Sequence, residues 1–253
     1  MKKAVIITSC IEVDNNYPLT YSNLRAAHNT DQRYQQTLET LYNCMCNFDK
    51  DTHYFLVDVS LNPEQFEQGF NFVPNFHFIK IKDEFPEILE SVRTHPNKTY
   101  CETTFLGLFL EKYKDQLLEF DFFIKLSGRY QISDNFDVKF FNRNTPRGFY
   151  VKEKLEWEWF DVWKYDLVDR RTLQNNNKLY QYCTVIYGWS KEYFNSNIEI
   201  LKEMSRICGV EWGLKYDMET LLYFLTRPYE DNVYEQPWVI EGLIGTNGQL
   251  QKY

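Results

Sequence analysis

Asp121-Phe122-Phe123-Ile124-Lys125-Leu126-Ser127-Gly128-Arg129-Tyr130 is the stretch on which the fold turns. From Phe122 to Leu126 it is apolar on both faces of an extended chain apart from Lys125, the pattern of a strand buried within a parallel sheet. Ser127-Gly128 breaks the strand. One strand end therefore carries Lys125, Ser127, Gly128 and Arg129, two cations around a residue with no side chain. Such a cluster suits a diphosphate, because glycine lets the backbone come close and arginine offers a planar fork to phosphate oxygens. Solvated charges at a strand end give the same sequence.

Towards the N-terminus, Lys3 to Cys10 (KAVIITSC) reads as another buried parallel strand that ends in small polar residues. Open α/β sheets bind ligands beyond the carboxyl ends of their strands, so Thr8 and Ser9 face either a ligand crevice or a plain polar loop. After a loop rich in Asn, Pro and Tyr, a helix is predicted from Thr30 or Asp31 to about Asn47. It carries Tyr34, Leu38, Leu41, Tyr42 and Met45 on one face. His53 to Val59 and Phe76 to Ile81 read as strands, and the span between Lys98 and Phe120 as a helix bearing Phe105, Leu108, Phe109 and Leu117. This β-α-β spacing predicts an α/β fold, a mostly parallel sheet flanked by helices.

The second half is less regular. Val185 to Trp189 reads as a strand, Lys191 to Ile207 as a helix, and Asp217 to Thr226 as a helix capped by Asp217. Trp238 to Thr246 reads as a last strand and turn. Tyr150 to Tyr165 alternates acidic and aromatic residues through Leu155, Trp157, Trp159 and Trp163. That alternation fits a half-buried strand, or a platform on which sugar rings stack. With no repeat, low-complexity tract or linker, residues 1–253 form one domain in two halves, about 1–135 and about 136–253.

The chain has 253 residues, of which 43% are apolar, enough for a sizeable core in one α/β domain. Aromatics reach 18%, which either codon usage in an AT-rich genome or a sugar-handling site explains. A net charge of −8 with no long basic run makes nucleic acid, and anionic membrane as an electrostatic partner, a poor match. Of six cysteines only Cys44 and Cys46 are close together, with no second pair at zinc-ligand spacing, and four scattered histidines make no metal pattern. Free thiols in a reducing compartment are the default. The run Ala4 to Ile7 is too short for a signal peptide and no stretch approaches a membrane span, so the expected location is cytoplasmic. No G-x-S-x-G, Walker A or G-x-G-x-x-G is present.

The run Lys125-Leu126-Ser127-Gly128-Arg129-Tyr130 resembles the K-[IL]-[ST]-G-R-Y motif of a group of bacterial glycosyltransferases found with cell-surface polysaccharide biosynthesis. The resemblance continues, in shorter motifs, over nearly the whole chain. Thr8, Arg25, Asp31 and Arg33 match a strand ending in Thr, an Arg and a D-x-R helix opening. Glu102 matches a Glu at a helix start before the motif strand. Thr184 to Ser190 matches a strand ending in Gly, Met218 to Leu222 an acidic helix start with paired Leu, and Glu241 to Thr246 a terminal E-G-x-x-G-T.

The resemblance implies a single GT-A-like (Rossmann-like) domain that transfers a sugar from a nucleotide-sugar donor to a surface glycan of lipopolysaccharide, capsule or O-antigen type. The first half is then the donor half and the second the acceptor half. Thr8, Ser9, Arg25, Arg33, Lys125, Ser127, Gly128, Arg129 and Tyr130 are the expected donor-binding residues. Trp157, Trp159 and Glu241 are the expected acceptor-binding residues. Most GT-A enzymes hold a divalent metal with D-x-D at this strand end, where this chain has Ser127-Gly128-Arg129. Protein cations are thus expected to neutralise the leaving diphosphate in the metal's place, with no other cofactor. For the proton of the acceptor hydroxyl, Glu219 is the expected base and Asp217 the alternative; each also reads as a plain helix-start acid. The partners implied are the donor and a glycan or lipid-linked glycan, with weak association at the inner membrane face. A sugar nucleotidyltransferase lacks support, since the loop after Ser9 has no Gly; a non-catalytic nucleotide- or glycan-binding module stays open.

Overall fold

In β1 (Lys3–Ser9), alternate residues enter two different apolar layers, Ala4 and Ile6 one, Val5 and Ile7 the other. Only a strand covered on both faces does this. The computed structural model describes residues 1–133, 136–157, 179–243 and 247–252. Around β1 runs a seven-stranded sheet in the order β10-β6-β9-β4-β1-β2-β3. Its members are β2 (His53–Asp58), β3 (Phe76–Lys80), β4 (Phe122–Ser127), β6 (Phe149–Lys152), β9 (Ile186–Ser190) and β10 (Val233–Gln236). The β1, β2, β3 and β4 pairings are parallel, as is β6 with β10; β9 runs antiparallel to both its neighbours. Mostly parallel is therefore correct, with one reversed strand that the sequence did not announce.

Helix α1 (Thr30–Asn47) starts at a capping box, Asn29 accepting from the Gln32 N–H and the Gln32 side chain accepting from the Asn29 N–H. It buries Leu41 and Cys44 against the Val5–Ile7 face. A three-stranded sheet of β5 (Tyr130–Ile132), β11 (Ile240–Leu243) and β12 (Leu250–Lys252) lies on the same side, contributing Tyr130, Ile132 and Ile240 to that layer. Helices α2 (Pro86–Thr94), α3 (Lys98–Lys112), α4 (Phe194–Cys208) and α5 (Met218–Thr226) cover the other face. There α3 and α4 touch closely: Thr104 and Ser205 share a 2.6 Å hydrogen bond, and Gly107 stands where a Cβ would lie 3.6 Å from Leu201 Cβ.

Boundaries differ from the sequence reading for local reasons. Ile81 opens a short helical turn, Ile81–Glu84, instead of closing β3. The helix expected up to Phe120 ends at Lys112, and a separate turn covers Lys114–Leu117. Lys191–Tyr193 is a 3₁₀ turn ahead of α4. Helix α2 went unread although Pro86 stands at its first turn. The pair β7 (Leu155–Trp157) and β8 (Leu179–Gln181) is antiparallel and separate from the main sheet.

Candidate functional site

In β1 and β4 alternation fixes where each polar side chain goes. Phe122, Ile124 and Leu126 belong to the α1 layer, which sends Lys125 to the α3 side; Thr8, in step with Ala4 and Ile6, goes the same way. Both meet Glu102, on the first turns of α3. Thr8 Oγ1 donates to Glu102 Oε1 at 2.7 Å, and Lys125 Nζ lies 2.5 Å from the same oxygen. Lys125 is sealed from solvent and donates to Ser127 Oγ at 3.0 Å and the Thr184 carbonyl at 2.8 Å as well. All three ammonium donors are thus satisfied. Burial opposes ionisation of Glu102, but Lys125 and then Lys98 overcome it and hold the carboxyl down to about 2.

Above this pair, beyond the carboxyl ends of β1 and β4, opens a narrow cleft of about 100 Å³. Thr8, Ser9, Ser127 and Arg129 line it from the strand ends, and Lys98 and Glu102 from α3. Arg25, Arg33 and Arg93 complete a set of five cations. Three of the five have internal work. Arg33 Nε donates to the Cys10 carbonyl at 2.7 Å. Arg93 Nη1 donates to the carbonyls of Glu12 and Val59 at 2.9 and 2.8 Å. Arg25 donates to the carbonyls of Tyr17 and His95 at 2.9 and 2.5 Å. These bonds pin the loop after β1 over the cleft.

Arg129 and Lys98 differ. Arg129 Nε is buried with no hydrogen-bond partner, and Lys98 makes no hydrogen bond or ion pair among the described residues. Burial first, then Arg129, lowers the Arg33 guanidinium to about 9, still cationic at neutral pH. Lys98 is exposed along its side chain, but its ammonium is crowded by the cleft walls; that crowding and then Arg129 lower it from its ordinary value. The cleft holds positive charge that an anion would relieve.

Lys98 and Glu102 also line a larger cavity of about 900 Å³. Asp217 and Glu219, at the start of α5, are on its wall. Asp217 caps the helix, accepting from the Thr220 N–H at 2.7 Å. Glu219 Oε1 accepts from Thr184 Oγ1 at 2.6 Å, and burial, then Asp217, raises its carboxyl above the usual range.

Of the residues expected in the donor site, Thr8, Ser9, Arg25, Arg33, Ser127 and Arg129 come together in the cleft. Lys125 lies beneath its floor, spent on Glu102. Gly128 is also below: its N–H donates to the Thr8 carbonyl at 2.9 Å, and a Cβ there would lie 3.1 Å from that oxygen. The glycine brings β4 against β1 and does not line the cleft. Tyr130 is buried in the α1 layer. Glu241 is on the small sheet, paired with Lys252, and lines neither space. Trp157 is in β7, but its side chain and the whole of Trp159 lie outside the described residues. Sequence reading gave Lys98 and Arg93 no role. A lysine in the first turn of a helix, where the dipole disfavours a cation, was the available signal for Lys98.

No family model and no curated protein matches the sequence. Solved structures do. Core-mannan synthase A from Aspergillus fumigatus, in its Mn/GDP form, superposes with a TM-score of 0.52 at 8% identity, over 94% of this chain and 73% of that one. The glycosyltransferase GlyE of Streptococcus pneumoniae gives 0.47 at 9% identity, over 93% of this chain and 45% of its own. A glycosyltransferase involved in glycosylation of the major capsid of PBCV-1 gives 0.44 at 7%, over 92% and 81%. Only the first of these three passes 0.5, and it bears on the fold alone. The fold is GT-A-like.

Donor chemistry bears on whether this strand end suits a metal. Ser127, Gly128 and Arg129, at the end of β4, offer no carboxylate, and among the described residues no three His, Cys, Asp or Glu side chains are grouped to bind a cation. Arg129 at that position repels a divalent ion. These residues do not fit a metal site.

Proposed function

We propose that the chain is a glycosyltransferase, most simply a hexosyltransferase, that takes a sugar from a nucleotide-sugar donor and passes it to a surface-glycan or lipid-linked glycan acceptor without a metal. The observation that carries the reading is the pair of cations, Arg129 and Lys98, whose side chains make no hydrogen bond among the described residues, at the carboxyl edge of a GT-A-like sheet. A nucleoside diphosphate ester carries two negative charges on its bridge, and these two cations answer them. As the glycosidic bond to the donor breaks, charge grows on the leaving phosphate. Donors already in place stabilise it without reorganising. Arg33, Arg93 and Arg25 hold the loop that shapes the cleft, and Lys125 fixes Glu102 and Thr184 from below.

On the cavity side, Glu219 takes the proton of the attacking hydroxyl. Its raised pKa makes it a better base than an ordinary carboxylate once ionised, and Thr184 fixes its direction. Asp217 caps α5 and raises Glu219. The free thiols of all six cysteines suit a reducing compartment, and the proposed location is the cytoplasm, at the inner membrane face when the acceptor is lipid-linked. Among the described residues no helix is long and apolar enough to cross a membrane.

The test is incubation with a panel of nucleotide sugars, with and without chelator, measuring released nucleoside diphosphate. Release that needs no added metal supports the reading. Absence of release and of any thermal shift with nucleoside diphosphates overturns it.

A further inference from the structure

The large cavity is unlike the cleft beside it. Where the cleft is lined mostly by cations, the cavity presents four acids, Glu102, Glu211, Asp217 and Glu219, against two lysines, Lys98 and Lys215, together with the aromatic side chains of Trp212, Tyr21 and Tyr216. Two of these aromatics are unusually open for their type, Trp212 at 50% and Tyr21 at 63% exposure. A large apolar ring held in water costs free energy unless something covers it in use.

Trp212 is also held firmly. It belongs to the 3₁₀ turn Glu211–Gly213 that follows α4. Gly213 permits that turn to close on the helix end, since any Cβ there would overlap the Ile207 carbonyl. The Gly213 N–H donates to the Val210 carbonyl at 2.9 Å, and the Tyr216 N–H to the Gly213 carbonyl at 3.1 Å. The Tyr216 ring meets the indole edge-on, with centroids 6.0 Å apart at 85°. Tyr216 thus supports the indole from one side.

Elsewhere in the cavity lining, the Tyr21 hydroxyl is pushed up to about 12 by its surroundings, first by crowding and then by Glu219. Its proton therefore stays in place at neutral pH, so the hydroxyl can donate.

We infer that Trp212 and Tyr21 form the subsite for the acceptor, and that the acceptor's terminal unit is an uncharged sugar ring that lies on the Trp212 indole. This rests on the glycosyltransferase reading and deepens it. A pyranose has an apolar C–H face that suits an aromatic plane, and an edge of hydroxyls that suits carboxylates. Glu211 directly precedes Trp212 in the turn, and Glu219 lines the same cavity. An acceptor ending in a phosphate or a carboxylated sugar is disfavoured, because the acids lining the cavity outnumber its lysines four to two. The charge contrast between the two spaces keeps the anionic donor and the neutral acceptor in their own places.

The experiment labels the protein uniformly with ¹⁵N and follows the Trp212 indole signal, assigned by its loss in Trp212→Phe. Methyl glycosides of neutral hexoses, N-acetylhexosamines and deoxyhexoses are titrated in, beside methyl glucuronide and glucose 6-phosphate. Saturable movement of the Trp212 signal with a neutral glycoside and not with the two anions is expected. Trp212→Ala should raise the half-saturating glycoside concentration roughly three- to tenfold, measured on the signals of other cavity residues. Nucleoside diphosphate affinity should be unchanged. No movement with any neutral glycoside, equal movement with the anions, or an unchanged half-saturation in a folded Trp212→Ala variant overturns the inference. Donor turnover is read separately: release of nucleoside diphosphate with a silent Trp212 defeats the subsite alone, and glycoside binding without any nucleotide binding defeats the glycosyltransferase reading alone.

Discussion

Lys125 and Glu102 form an ion pair of 2.5 Å under the floor of the cleft, the lysine side chain 1% exposed and the glutamate 15%. Thr184 accepts from that ammonium through its carbonyl and donates from its hydroxyl to Glu219. One buried charge therefore joins the strand ends beneath the cleft to the carboxylate on the cavity wall. Removing a single partner of a buried pair leaves the other charge unpaired and typically costs about 3–5 kcal/mol. Lys125→Met should lose stability on that scale in denaturant unfolding. Replacing both, Lys125→Met with Glu102→Leu, should recover much of the loss. A folded Lys125→Met variant of normal stability would show that the lysine does not play this part.

The same pair sets the acid limit of the fold. The Glu102 carboxyl falls from an ordinary value of 4.5 to about 2 in the folded protein. The unfolded chain binds its proton first as pH drops. The stability this gives is complete above about pH 4.5 and disappears as pH falls towards about 2. Urea midpoints measured across that window should fall less steeply for Glu102→Gln than for the natural chain, from a lower starting value.

Arg129 makes the opposite prediction about stability. Its Nε has no partner, and its charge works against Arg33 and Lys98. Arg129→Ala should leave the melting temperature equal or slightly raised while weakening nucleoside diphosphate binding by about 1.5–3 kcal/mol, the scale of a charge-assisted contact. Arg129→Lys should restore little, having no planar fork. Calorimetric titration and thermal melts on the same samples separate the two effects. A large loss of stability would place Arg129 in the fold rather than the site.

Chelation gives a direct check of the donor chemistry. With Arg129 at the place of the carboxylates, turnover should survive chelator, and added Mn²⁺ should raise it by little. Loss with chelator and recovery with Mn²⁺ would mean that carboxylates elsewhere bring a metal to the donor.

Sequence reading reached the sheet because burial on two faces leaves a plain mark, as in Val5 to Ile7 and Phe122 to Ile124. It reached Thr8, Ser9, Ser127 and Arg129 because a strand end converts sequence position into location. It failed where position and direction part company. Lys125 and Arg129 look alike as cations four residues apart, yet Lys125 lies within β4 on its α3 face, where Glu102, from a distant helix, takes its charge, while Arg129 stands past the strand end in the cleft wall. Gly128 read as a place for phosphate and is filled by the β1 backbone, a contact that only the register of two strands reveals. Lys98, Arg93 and Trp212 come from helix ends and a turn whose positions depend on how α2, α3 and α4 pack. Periodicity carries no information about that packing.

Glu219 yields a pH prediction with a definite sign. Burial and the Asp217 charge raise its carboxyl above the ordinary 4.5. A base must be ionised, so transfer should rise with pH along a limb centred above that value and flatten beyond it. Glu219→Gln should lose about 10²–10⁴ in transfer rate and the limb with it, while donor affinity stays nearly constant. Since a raised carboxyl stabilises the fold only below its unfolded pKa and loses that contribution as pH rises through the folded one, the same variant should melt higher than the natural chain at neutral pH. Asp217→Asn distinguishes neighbour from base. Asparagine still caps α5, so the fold should hold. With the charge gone, the Glu219 limb should move to lower pH, and transfer at neutral pH should change little. Rate–pH profiles of the three proteins, with donor binding measured beside them, decide the matter. A limb that persists in Glu219→Gln assigns the proton to another group, and a greater loss in Asp217→Asn reverses the two roles.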